Sequence, residues 1–132
     1  MIFEFLIPRR PVSLQTRKKR NLQAWKTYVN SEASKIWNGT LITSGDLQLS
    51  LVYLSDAAPV DIDNIIKPIQ DALVGLVYED DILVTDVESH RRSIHGAFDV
   101  NRCPALILQG ASLGDECVYV RVSAPKALED YL

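Results

Sequence analysis

The segment "DIDNIIKPIQDALVGLVYEDD", Asp61 to Asp81, carries two carboxylates one residue apart at its start and two adjacent at its end, with Lys67 as its only base. In extended chain Asp61 and Asp63 share a side, about 7 Å apart, because alternate side chains face the same way. A third carboxylate from Asp80 or Asp81 joins them only through tertiary packing, since an intervening helix of about a dozen residues spans ~18 Å. Three carboxylates within ~5 Å of one another take up protons or require cations. Hard oxygen donors with open positions suit magnesium, which prefers one or two carboxylates plus water and phosphate oxygens. Such an ion activates a water, orients a scissile phosphate and stabilises charge on the leaving 3′ oxygen. Lys67 would add a point charge for a phosphate oxygen or hold the acids in place. Spacing alone favours a plainer reading, in which Asp61 and Asp63 cap a helix and "EDD" is a surface turn. The metal reading therefore requires the two ends of the segment to meet in the fold.

The net charge of −3 hides a dipole along the chain. Arg9, Arg10, Arg17, Lys18, Lys19, Arg20 and Lys26 precede Thr27 with only Glu4 against them. From Asp56 to Glu88 the acids Asp56, Asp61, Asp63, Asp71, Glu79, Asp80, Asp81, Asp86 and Glu88 face Lys67 alone. A run such as "RKKR" is by itself a solvated loop, but beside a cluster of acids it is a candidate nucleic-acid arm.

The elements that must position these groups follow from periodicity. With 132 residues, 47% of them hydrophobic, the chain is expected to form one domain over residues 1–132. "IFEFLI" alternates as a strand before Pro8 and Pro11 break it. "NLQAWKTYVNSEASKIW" places Leu22, Trp25, Tyr28 or Val29, Ala33 and Ile36 on a helical stripe that "NGT" ends. "DLQLSLVYLS" reads as a half-buried strand. Ile65, Ile66, Ile69, Leu73, Leu76 and Val77 form a second helical stripe, with Pro68 tolerated only in a first turn, so the helix begins between Asp63 and Lys67. "ILVTDVESHRR" and "CVYVRVS" read as strands; between them, "PALIL" among glycines is ambiguous and is taken as a possible strand. The order implies an α+β fold, a mixed or antiparallel sheet with two helices packed on one face. No apolar run approaches a membrane span and no export signal opens the chain, so a cytoplasmic protein without membrane contact is expected. Cys103 and Cys117 lack metal-ligand or disulfide spacing and are expected to be small buried side chains.

The ordered set of an Asp-x-Asp-Asn, a lysine three residues on, an Asp-Ala-Leu at the helix end and an Asp-Asp pair opening a strand resembles the RusA family of Holliday-junction resolvases. The basic loop in "FLIPRRPVSLQTRKKR" looks like that family's opening, and the resemblance extends over Met1 to Arg92. It implies a magnesium-dependent (Mg2+) endodeoxyribonuclease of DNA recombination and repair, a homodimer that nicks four-way or branched DNA symmetrically and needs no small-molecule cofactor. By position it implies Asp61, Asp63 and Asp81 as metal ligands, with Lys67 completing the catalytic set. Arg9, Arg10, Arg17, Lys18, Lys19 and Arg20 become the candidate DNA-binding residues. Asp71 and Asp80 rank second, and His90 and His95 are expected to contact phosphate or pack, because the nucleophile in that family is a metal-bound water. The alternatives are a RusA-like protein that binds branched DNA without cutting it and a domain whose acids are only surface. A phosphotransferase of the haloacid-dehalogenase type is disfavoured, because there the Asp-x-Asp follows an apolar strand directly, whereas here "DAAPV" intervenes.

Overall fold

The computed structural model describes residues 2–132. Four strands, β1 (Phe3–Ile7), β2 (Leu47–Ser55), β3 (Val84–Ser93) and β4 (Cys117–Ser123), form one mixed sheet in the order β1-β4-β2-β3. β4 is antiparallel to both neighbours, whereas β2 and β3 run parallel. A parallel pair needs a crossover. Here it contains a 3₁₀ turn (Ile62–Ile65) followed by helix α2 (Ile66–Ala72), so the acidic segment begins beyond the carboxyl end of β2.

Helix α1 (Lys19–Ser34) and α2 cover one face of the sheet. Trp25, Val29 and Ala33 from α1 and Ile65, Ile69 and Leu73 from around α2 pack on Phe3, Phe5, Ile7, Leu49, Leu51, Tyr53, Val118, Val120 and Val122, all buried. The alternation read in "IFEFLI" and "DLQLSLVYLS" thus meets the helical stripes as expected for an α+β fold. Ile36 departs from its stripe: the helix ends at Ser34 and Ile36 is exposed.

The opposite face differs from expectation. "PALIL" belongs to a third helix, α3 (Ala105–Leu113), not a strand. Pro104 stands just outside its first turn, where its missing N–H costs nothing. Gly114 ends it at φ 82°, and Gly110 lets it approach the sheet: a β-carbon there would lie 2.7 Å from Cys117 Sγ. The punctuation that made this stretch unreadable therefore marks the start, the contact and the end of one helix. α3 rests on Leu6, Leu54, Cys117 and Tyr119, and near the other end of β2 Gln48 Oε1 accepts from Tyr131 Oη at 2.5 Å; β2 is buried on both faces, Gln48 and Ser50 included, and is not the half-buried strand expected. Cys117 is buried and Cys103 partly so, both as free thiols.

β3 begins at Val84, two residues later than its periodicity suggests, after a 3₁₀ turn (Asp81–Leu83) that leaves Ile82 exposed. Likewise α2 stops at Ala72, and Leu73 to Val77 fold back through a turn with Gly75 at φ 83°. The α2 carbonyls freed at this end find partners: Asn30 Nδ2 donates to Ala72 O at 2.9 Å and Tyr78 Oη to Gln70 O at 2.6 Å. Among the described residues no helix is long and apolar enough to cross a membrane.

Candidate active site

The carboxyl ends of parallel strands are where open α/β sheets usually bind ligands. Here Asp61, Ile62 and Asp63 line a groove of about 370 Å³ with Ser89, His90, Arg91 and Arg92, from the carboxyl half of β3. Ser89 Oγ donates to Ile62 O at 3.1 Å and ties the turn to the strand. Neither Asp61 nor Asp63 enters a salt bridge among the described residues, and both are exposed. Two unpaired carboxylates beside two guanidinium groups suit a cation bridged to a phosphate, the donor chemistry that magnesium favours.

The far end of the segment is arranged differently. Lys67 Nζ lies 2.5 Å from Asp81 Oδ2 and 2.9 Å from Asp71 Oδ1. On its other side Asp71 is 3.5 Å from Lys26 of α1. The hydrogen bond from Lys67 holds the Asp81 carboxyl below the usual carboxylate range. Reciprocally, bonds to Asp81 and then Asp71 push the Lys67 ammonium up. Asp80 accepts from Ile82 N–H at 3.1 Å and so caps the 3₁₀ turn, the plainer role considered for these acids.

From the first turn of α2, Lys67 reaches Asp81 at the far end of the segment, but no hydrogen bond or ion pair among the described residues joins Asp81 to Asp61 or Asp63. Their carboxylates do not gather: among the described residues no three His, Cys, Asp or Glu side chains stand close enough together to hold a metal. Asp81 lies in a separate depression with Asp71, Val74, Glu79 and Asp80.

The basic residues divide in the same way. Leu14 N–H donates to Asn64 O at 2.9 Å, which docks the N-terminal loop on the turn that carries Asp63. Beyond it Arg17, Lys18, Lys19 and Arg20 are all exposed, at the amino end of α1, which has no acid in its first turn and no side-chain cap. Cations at this positive helix end are mutually unfavourable, and an external anion relieves the conflict. Arg9 instead stacks over the Tyr28 ring at 3.9 Å. Arg10 bonds Glu116 and Ala58 O. His90 lines the groove 3.7 Å from Glu88, and His95 lies 3.4 Å from Asp56.

Sequence reasoning missed Ser89, Arg91 and Arg92 as groove residues. The signal was present, because β3 ends in "SHRR" and a parallel partner of β2 must deliver its carboxyl end beside Asp61. Only the parallel pairing was unknown. A family model described as endodeoxyribonuclease RusA matches residues 8–97, more than half of the chain. No curated protein matches it significantly.

Proposed function

The chain belongs to the RusA family of endodeoxyribonucleases, and from that premise we propose that it is a magnesium-dependent nuclease that resolves Holliday junctions or related branched DNA by paired symmetric nicks. The observation that carries this reading is the groove where unpaired Asp61 and Asp63 stand beside Arg91 and Arg92. Asp61 and Asp63 would hold the metal from the groove, and Asp81 would join them as the third acid only by leaving its pair with Lys67. When bound, magnesium supplies an activated water and charge stabilisation at the leaving oxygen. Arg91 and Arg92 hold phosphate oxygens next to the scissile position, offsetting the repulsion that bare carboxylates would exert on DNA. Lys67 keeps Asp81 ionised and presents an ammonium group at the edge of the acids.

Arg17, Lys18, Lys19 and Arg20 hold the backbone farther from the cut, and Leu14 ties their loop to the acidic turn. Such contacts carry no base identity, so preference for a site arises from junction shape or from base contacts made elsewhere. Two symmetric nicks require two copies of the site, which a two-fold homodimer supplies.

The second reading is a RusA-like protein that binds branched DNA without cutting it. One observation favours it: Asp81 is committed to Lys67 rather than gathered with Asp61 and Asp63. Labelled four-way, three-way and linear DNA, incubated with and without magnesium beside an Asp63→Asn variant, separates the two. The expected result is paired nicks in the junction with magnesium only, abolished in Asp63→Asn. Binding without nicks favours the second reading, and equal cutting of linear duplex would remove the resolvase assignment while leaving a nuclease.

A further inference from the structure

The loop Asp56–Val60 joins β2 to the acidic turn, and its conformation decides where Asp61 begins. It is an exposed loop with a difficult backbone: Ala58 adopts φ 52°, the left-handed region that residues with a β-carbon rarely occupy. Such a conformation persists only where its surroundings enforce it. The enforcement comes from Glu116, at the start of β4 and beyond the family match at residues 8–97. Its carboxylate, only 10% exposed, accepts four hydrogen bonds. Arg10 Nη1 donates to Oε1 at 3.2 Å and to Oε2 at 3.0 Å. Asp56 N–H donates to Oε1 at 2.8 Å, and Tyr53 Oη donates to Oε2 at 3.1 Å. Arg10, so oriented, donates from Nη2 to the carbonyl of the strained Ala58 at 2.7 Å. Tyr53 Oη also accepts from Val60 N–H at 3.4 Å. Both ends and the middle of the loop are thus bonded to one carboxylate directly or through one intermediary.

We infer that Glu116 is a positioning residue of the active site: through Arg10 and Tyr53 its carboxylate fixes the Asp56–Val60 loop and so sets where Asp61 and Asp63 stand. The inference rests on the proposed function for what those acids hold. It also reassigns Arg10, which is read from sequence as a DNA-binding residue, to holding the loop. Three donor groups converge on one carboxylate through four contacts. A glutamine there has a single acceptor oxygen and turns an N–H₂ group toward donors, so Glu116→Gln should behave like Glu116→Ala rather than rescue it.

Two measurements on the whole chain test this. Backbone amide exchange in the metal-free protein should quicken by about tenfold or more over residues 56–62 in Glu116→Ala, with the amides of β1, β2 and α3 unchanged. Manganese titration without DNA, read by the resonance of free Mn2+, should show half-saturation rising by about tenfold in Glu116→Ala, Glu116→Gln and Arg10→Ala, but not in Asp115→Ala. Exchange that quickens equally across the sheet, or manganese binding unchanged while the loop loosens, would overturn the positioning role. If wild-type protein neither binds manganese nor nicks a junction, the proposed function fails instead. The exchange comparison still reads the loop in that case, so the two failures are distinguishable.

Discussion

Asp61 and Asp63 at one end of the acidic segment and Asp81 at the other are the same residue type, yet their charges are met in different ways. The first two line a groove with Arg91 and Arg92 and enter no salt bridge among the described residues. Asp81 gives its charge to Lys67, which shares itself with Asp71, which in turn reaches Lys26 on α1. One end has no partner for its charge among the described residues, whereas the other is neutralised inside the chain and ties α1, α2 and the entry to β3 together. An exposed ion pair contributes little to stability, so the value of this chain of charges lies in geometry: it fixes Lys67 between Asp71 and Asp81.

Substitutions that break the open end should have the largest effect. Asp61→Asn and Asp63→Asn are each expected to lower junction cleavage by on the order of 10²–10³-fold, because each removes a group that meets charge in the transition state. Junction binding in EDTA should be retained or tightened, since each removes a negative charge next to phosphate. Asp80→Asn, at the residue that only caps a turn, should stay within a few-fold of wild type. Single-turnover cleavage beside binding at fixed salt checks all three, and a tenfold larger loss in Asp80→Asn than in Asp61→Asn would invert the comparison.

The closed end is probed through its cation. Lys67→Ala frees Asp81 and Asp71 together and is expected to lower cleavage by about 10- to 100-fold while changing thermal stability little, because Lys67 is about half exposed. Cleavage unchanged in Lys67→Ala would mean that the lysine serves only the surface. The matching measurement is the apparent magnesium affinity of the variant, which reports whether a released Asp81 is drawn to the metal.

How much of this was legible in the sequence depends on whether a feature is local. Strand and helical stripes appear where the period is sustained, so β1, β4 and the buried faces of α1 and α2 are found within a few residues of their readings. The failures share one cause: α3, the two-sided burial of β2 and the groove arginines all depend on which elements become neighbours. Gly110 looks like a helix breaker until Cys117 stands against it. For the site, the residue types at Asp61, Asp63, Lys67 and Asp81 were visible, and so was the need for the ends to meet. That Asp81 instead pairs with Lys67, and that Arg10 bonds Glu116 some hundred residues away, could not be seen without the fold.

A smaller effect concerns the basic side chains, which also divide into open and closed. Neutralising Lys18 or Lys19, exposed at the amino end of α1, should reduce the slope of log binding constant against log salt by about 0.9 for each phosphate no longer neutralised. Lys26, already paired with Asp71, should leave the slope unchanged when replaced by methionine. Equal slopes for Lys18→Met and Lys26→Met would mean that internal pairing does not decide which lysines meet DNA.

The smallest expected effect is a titration, and it separates the ends without any DNA or metal. The hydrogen bond from Lys67 holds the folded Asp81 carboxyl below its usual range, so unfolded chains bind a proton at this site before folded ones do. The pair therefore supports the fold fully above the ordinary carboxylate value and loses that support as pH falls through the depressed one. The carboxyl carbon shift of Asp81 in metal-free protein should accordingly titrate below the usual carboxylate range in wild type and return to it in Lys67→Met. An Asp81 midpoint that does not move in Lys67→Met would show that the lysine does not carry this end's charge in solution, and the contrast with the open end would disappear.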